Sequence, residues 1–264
     1  MAQLNADGQV KEQYADGKNL STRAGLHAKY SVNPMGLTNW LFTQYRFEPG
    51  DRILELGCGT GSQWEGRLGA LPEGCSLILS DFSPGMVETV RAVYGGMPGV
   101  KAEQIDIQQI PYPDGSFDVV IANFMLYHVP DLPRAIGEVR RVLKPGGRFY
   151  AATNGNGGLM GFMREAMERC GLDPSVFSRG FSFSLQNGGG LLEPYFAAVE
   201  RRDYPDALAV TETADLVDWV RSTGGMTGYT EGELDKLSAY FEGIRRREGV
   251  IYIPKECGVF VCRA

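Results

Sequence analysis

The chain alternates between short, nearly continuous apolar runs and segments whose apolar residues recur every three or four positions. Ile53-Leu54-Glu55-Leu56 is an apolar run entering a glycine-rich turn, and it predicts a buried strand. Runs at Leu77–Ser80, Val100–Ile107, Phe117–Ala122 and Arg148–Thr153 predict four more. Between them, Met86, Val87, Val90, Val93 and Tyr94 follow Ser83-Pro84 at helical spacing and stop at Gly95-Gly96. Leu132, Ile136, Val139 and Leu143 mark a second such face, broken at Lys144-Pro145-Gly146-Gly147. Ahead of the first strand, Asn33 as N-cap and Pro34 predict a helix with Leu37, Trp40, Leu41 and Tyr45 on one face, ended by Pro49-Gly50. This alternation predicts an α/β fold of βαβ units, with ligands bound at the carboxyl ends of the strands.

The second half is less regular. Asn154-Gly155-Asn156-Gly157-Gly158 and Asn187-Gly188-Gly189-Gly190 bracket a helical stretch near 159–171, and both clusters suit mobile joints or binding loops. A strand near 196–203 precedes a helix over Thr213–Ser222 that ends at Gly224-Gly225. Thr230 and Glu233 have capping-box spacing for a last helix with Leu234, Leu237, Phe241 and Ile244 inward. Val250–Ile253 and Gly258–Cys262 suggest a final strand pair. No internal repeat and no independent second domain emerge. The expected division is an N-terminal arm over 1–32, a cofactor-binding core over 33–155, a strand with helical lid insertions over 156–247, and sheet-completing strands over 248–264.

Composition narrows the functions. With 264 residues, 43% hydrophobic and 22% charged, the chain has the make-up of an ordinary globular protein. A net charge of −6 advertises no basic surface for nucleic acid or anionic lipid. The five cysteines show no CxxC pair and no metal-ligand spacing with the two histidines, so free thiols and no metal are expected. Met1–Gly8 is too polar for a signal peptide and no apolar run reaches membrane-spanning length, which together suggest a cytoplasmic protein.

The chemistry concentrates at the ends of the first four strands. Gly57, Gly59 and Gly61 make a G-x-G-x-G turn, where missing Cβ atoms allow a sharp bend and close approach of a nucleoside. A dinucleotide fingerprint would place its third glycine at position 62, which is Ser62, so S-adenosylmethionine (SAM) is favoured over NAD. In this reading Gly57, Cys58, Gly59 and Gly61 line the bend, and Glu55 suits a partner for the SAM amino group. Asp81, 24 residues after Gly57, is placed to accept hydrogen bonds from both ribose hydroxyls. Phe82 and Met86 follow where they can cover the adenine edge. Asp106 suits the adenine amino group and Ile107 the ring, the alternative for Asp106 being a simple turn.

Asn123 and Phe124 close the fourth strand, where sulfonium and acceptor should meet. His128 fits either a general base or a polar residue holding that loop. The arm carries Tyr14, Arg23, His27 and Tyr30. It reads either as a closure over the cofactor, with Tyr14 or Tyr30 near the sulfonium, Arg23 near the carboxylate and His27 a second base, or as a plain surface segment.

In their order, Ile53–Gly61, Asp81-Phe-Ser-Pro-Gly-Met86, Asp106-Ile-Gln-Gln-Ile-Pro111, Phe117–Asn123 and Leu143-Lys-Pro-Gly-Gly147 resemble class I SAM-dependent methyltransferases of the small-molecule type. They are similar to ubiquinone/menaquinone C-methyltransferases, with a methyltransferase type 11-like core. The resemblance implies a Rossmann-like, doubly wound seven-stranded sheet, mostly parallel with an antiparallel last strand, plus helical insertions. It also implies that Gly57, Gly59, Asp81 and Asp106 face SAM, and that the product is S-adenosylhomocysteine. The expected acceptor is an O, N or C nucleophile of a small molecule. Rival readings are a protein that binds SAM without turnover and a methyltransferase acting on a macromolecule. Nucleic-acid amino-methylating enzymes of similar fold carry Asn-Pro-Pro-aromatic where this chain has Asn123-Phe124-Met125-Leu126, so no nucleic-acid partner is expected.

Overall fold

The computed structural model of the protein describes residues 25–178, 180–223 and 228–264. Tyr14 and Arg23 therefore lie outside the described residues. In chain order the named elements begin with α1 (Leu37–Gln44), β1 (Arg52–Leu56), β2 (Ser76–Asp81), α2 (Pro84–Tyr94), β3 (Val100–Gln104) and β4 (Phe117–Asn123). They continue with α3 (Leu132–Val142), β5 (Leu143–Asn154), α4 (Gly158–Arg169), α5 (Ser175–Ser178), α6 (Gly188–Leu192) and β6 (Ala198–Asp203). The last are β7 (Ala207–Val210), α7 (Thr213–Ser222), α8 (Glu231–Glu248), β8 (Ile251–Pro254) and β9 (Cys257–Arg263).

The chain divides into two compact units. One comprises Leu37–Asn154, Ser182–Asp203 and Cys257–Ala264; the other comprises the described residues up to Gly36, Gly155–Phe181 and Tyr204–Glu256. Residues 155–181 and 204–256 close around a core of their own, while residues 182–203 belong with the sheet.

The sheet unit holds seven strands in the order β3-β2-β1-β4-β5-β9-β6, with β9 antiparallel to both neighbours and the other pairings parallel. This is the doubly wound, Rossmann-like arrangement expected from the sequence. The central strands are buried on both faces, which explains their unbroken apolar runs. Leu54, Leu56, Val120 and Ala122 enter one core, whereas Ile53, Val119 and Ile121 enter the core on the opposite face. Asp131 starts α3 by accepting the Arg134 N–H at 3.1 Å, with Pro133 in the first turn.

Several local expectations change. The first helix begins at Leu37, because Asn33 instead shapes a turn in which its Oδ1 accepts from Met35 N at 3.0 Å. Residues 25–30, expected as irregular arm, are helical and bury Leu26 and Tyr30. β3 ends at Gln104, and β5 follows α3 directly, absorbing Lys144–Gly147 through a register shift against β4. The two C-terminal strands do not pair with each other: β9 joins the large sheet and β8 pairs with β7. Asn187–Gly190 is no joint but the start of α6.

In the other unit, α4, α7 and α8 share a core containing Met163, Leu216, Val220, Leu237 and Phe241. The Thr230/Glu233 capping box is formed, and Leu234, Leu237, Phe241 and Ile244 are buried as expected.

A Cβ at Gly188 would lie 2.5 Å from the Phe260 ring and 3.0 Å from Phe183. Gly188→Ala should therefore destabilise the sheet unit by roughly 1–3 kcal/mol through overpacking. Gly190, whose Cβ would meet nothing within 4 Å, is the control: Gly190→Ala should leave the urea midpoint unchanged or raise it.

Candidate active site

At the carboxyl end of β1 the chain turns through Gly57, Gly59 and Gly61, with φ of 68°, 57° and 75°. Residues with a Cβ rarely adopt that region, so the bend itself calls for glycine. The turn is tied to β2 at two points: Cys58 N donates to Ser80 O at 2.9 Å, and Gly59 N donates to Asp81 Oδ2 at 2.9 Å. Asp81 Oδ1 accepts from Ser83 N at 2.9 Å. Each carboxylate oxygen has about two acceptor positions, so one on each remains for an outside donor. A Cβ at Gly59 would meet nothing within 4 Å, leaving open space over the bend. Phe82 follows with 57% of its surface exposed, and Met86 is half-buried.

This donor and acceptor set fits SAM. A carboxylate with two free acceptor positions suits a ribose diol, bare backbone suits close approach, and an exposed aromatic ring suits adenine.

Beneath the turn, Glu55 is only 2% exposed. Its Oε2 accepts the Trp64 indole N–H at 2.5 Å and its Oε1 accepts from Asn123 Nδ2 at 3.1 Å. Asn123 Nδ2 also donates to Tyr45 Oη at 2.9 Å. Burial pushes the Glu55 carboxyl up to about 7, against the two N–H donors that favour its charged form, and the nearby Asp81 charge adds to the rise. Each Glu55 oxygen thus accepts one N–H from the protein, and the residue expected to partner the amino group sits buried beneath the bend.

The other expected residues separate. Asp106 Oδ1 accepts from Gln108 N at 2.8 Å, forming the turn that was its alternative role. Ile107 is 5% exposed and its side chain is spent on the core. Cys58 is half-buried, and burial holds its thiol far above the ordinary range, so it offers no thiolate. Phe124 has φ 54°, and among the described residues it alone pairs a side chain with positive φ. An aromatic residue held there marks local strain at the end of β4.

His128 closes a single 3₁₀ turn, edge-on to Tyr127 with ring centroids 4.6 Å apart, and burial lowers its pKa. His27 belongs to the other unit. Burial first, and then the Lys255 charge, lower it to about 4 against the pull of Asp206, so it is neutral at pH 7. Tyr30 lies in that unit's core and its hydroxyl donates to Asp215 at 2.5 Å, a bond that accounts for its polar end.

Sequence reading missed Trp64 and the polar role of Tyr45. Trp64 sits in a short 3₁₀ turn with no periodic signal, and Tyr45 read as an apolar helix position.

Residues 54–151 match the family model described as "Methyltransferase domain". The demethylmenaquinone methyltransferase of Symbiobacterium thermophilum is 35% identical over 109 residues, covering 40% of this chain and 43% of that protein. The EEF1A lysine methyltransferase 4 of Mus musculus is 35% identical over 122 residues, covering 40% of this chain and 47% of that one. The chain thus spans under half the length of these curated relatives. Among solved structures, the YcgJ protein from Bacillus subtilis aligns with a TM-score of 0.58 at 17% identity, covering 86% of this chain and 97% of that one; at that identity the likeness concerns the fold. Residues 54–151 therefore resemble a methyltransferase domain in sequence.

Proposed function

We propose that the protein transfers a methyl group from SAM to an O, N or C nucleophile of a small molecule. The observation that carries this reading is the Asp81 carboxylate. It pins the open Gly59 bend and the Ser83 amide while keeping acceptor positions free for a diol. Bound SAM supplies a methyl group already activated on a sulfonium. Asp81 orients the nucleoside, Gly59 admits it to bare backbone, and Phe82 covers one edge. The segment Asn123–His128, at the end of the neighbouring β4, faces the acceptor in this reading.

Holding donor and acceptor about 3–3.5 Å apart and aligned accounts for much of such a reaction. The acidic balance of the chain, and the lack of proline after Asn123, favour a small acceptor over nucleic acid. The relatives named above include one named for a quinone precursor and one named for a protein lysine. The screen that tests this reading therefore offers labelled SAM with phenols, amines and quinols beside protein substrates. Labelling of protein substrates alone would replace the small-molecule acceptor, and tight SAM binding with no transfer would leave a binding protein.

Asp81→Ala should weaken SAM binding by roughly 1.5–3 kcal/mol, the range for hydrogen bonds to a charged group. Calorimetry showing unchanged affinity would remove Asp81 from the site. His128→Gln should lower kcat by less than about tenfold on any acceptor the screen yields, because a true general base is worth about 10²–10⁴. A larger loss, with unchanged SAM affinity, would make His128 the base.

A further inference from the structure

The bend after β1 is open at one glycine and walled at the two that flank it. A Cβ at Gly59 would meet nothing within 4 Å, whereas one at Gly61 would lie 2.6 Å from the Tyr94 ring. One at Gly57 would lie 2.8 Å from both Cβ and Cγ of Met125 and 3.3 Å from its Cε. Tyr94 comes from α2 and Met125 from the end of β4, so the Met125 side chain borders the opening on its β4 side.

The backbone around Met125 is fixed on both sides. Phe124, the strained residue with φ 54°, donates its N–H to Ala152 O at 2.9 Å, and Met125 O accepts from His128 N at 2.9 Å. Tyr127 O accepts from Ser182 Oγ at 3.1 Å. Met125 packs against the core on one face of the sheet and is half-buried, so part of its side chain stays accessible.

Strand order gives a bound nucleoside its direction. β2, β1 and β4 are neighbours in that order, and they end at Asp81, at the bend and at Asn123. Adjacent strands lie about 4.8 Å apart, so the ends of β2 and β4 stand roughly 10 Å apart across the sheet. A nucleoside gripped at its ribose by Asp81, with adenine beside Phe82, lays its 5′ substituent over Gly59 and points it toward Met125.

We propose, resting on the SAM-binding reading, that Met125 is a specificity-determining residue that limits the size of the alkyl group on the cofactor's sulfonium. The site then takes an S-methyl group and rejects longer S-alkyl chains. Methionine in open surroundings is adaptable and moves aside for a neighbour. Met125 is held between Gly57 and the core, on a pinned backbone, and has few ways to yield to an added methylene. Discrimination against one extra methylene in an apolar site amounts to roughly 10–200-fold.

The test is calorimetric titration of the full chain with SAM, with S-adenosylethionine, which carries ethyl in place of methyl, and with S-adenosylhomocysteine, which carries neither. The unmodified protein should bind the ethyl ligand at least about tenfold more weakly than SAM. Met125→Ala should remove most of that difference, and Met125→Leu, close to methionine in volume, should keep it. The readout is the ratio of ethyl to methyl affinity, which a merely structural role for Met125 would not move. Equal affinity of the unmodified protein for both alkyl ligands, or an unchanged ratio in Met125→Ala, would overturn the proposal while leaving SAM binding intact. If Met125→Ala does not fold, Met125→Val removes less volume, and an unchanged ratio there overturns the proposal equally. No binding of either SAM or S-adenosylhomocysteine would instead overturn the SAM reading on which it rests.

Discussion

The grip of Asp81 on two backbone amides fixes the geometry on which the rest of the site depends. β1 and β2 are parallel neighbours in register to Leu56 and Ser80, so their carboxyl ends lie side by side. One oxygen of Asp81 holds Gly59 in the turn after β1, and the other holds Ser83 at the entrance of α2. One side chain thereby sets the spacing between the bare bend and the segment from Phe82 to Met86 that leads into α2. Backbone N–H donors also meet part of the cost of keeping a carboxylate half out of water. The same acid ties the bend to the helix entrance and keeps acceptor positions that the protein does not fill, which is why the proposed binding role falls to it.

The core of this arrangement was legible because its signals are local. A strand buried on both faces needs a continuous apolar run, a left-handed bend needs glycine, and an acid at the next strand end needs no distant partner to be recognised. These rules found β1, β2, β4 and the bend from Ile53–Gly61 and Ser80–Pro84. The Thr230/Glu233 cap was equally readable, since both halves lie within one helical turn.

What failed to show in the sequence depends on distant partners. β8 and β9 are separated only by Lys255-Glu256 and look like a hairpin. Yet Lys255 is drawn to buried Asp206 at 2.5 Å, and Glu256 accepts the Gly155 and Gly157 amides, so β8 turns to β7 instead. The Gly188–Gly190 run looked mobile, but Gly188 is small because the Phe260 ring from β9 approaches it. The Glu55 cluster was half visible. Glu55 stood out as an acid in an apolar strand, whereas its partners Trp64 and Tyr45 carry apolar rings whose polar ends matter only once the turn is folded.

The three glycines of the bend show how far a motif can be divided into separate physical demands. All three share positive φ, so conformation alone does not distinguish them. Space does. A Cβ at Gly57 would sit 2.8 Å from Met125, and one at Gly61 would sit 2.6 Å from the Tyr94 ring. Tyr94 also donates its hydroxyl to Gly61 O at 2.9 Å, so that contact is built into the fold. These two glycines are required by packing against α2 and the end of β4. Gly59, between them, has nothing within 4 Å of its Cβ position, although its amide is pinned by Asp81. Held amides beside open space also occur at Gly50 and Gly146, but there a backbone carbonyl does the holding, whereas Gly59 is held by the carboxylate that ends the neighbouring strand.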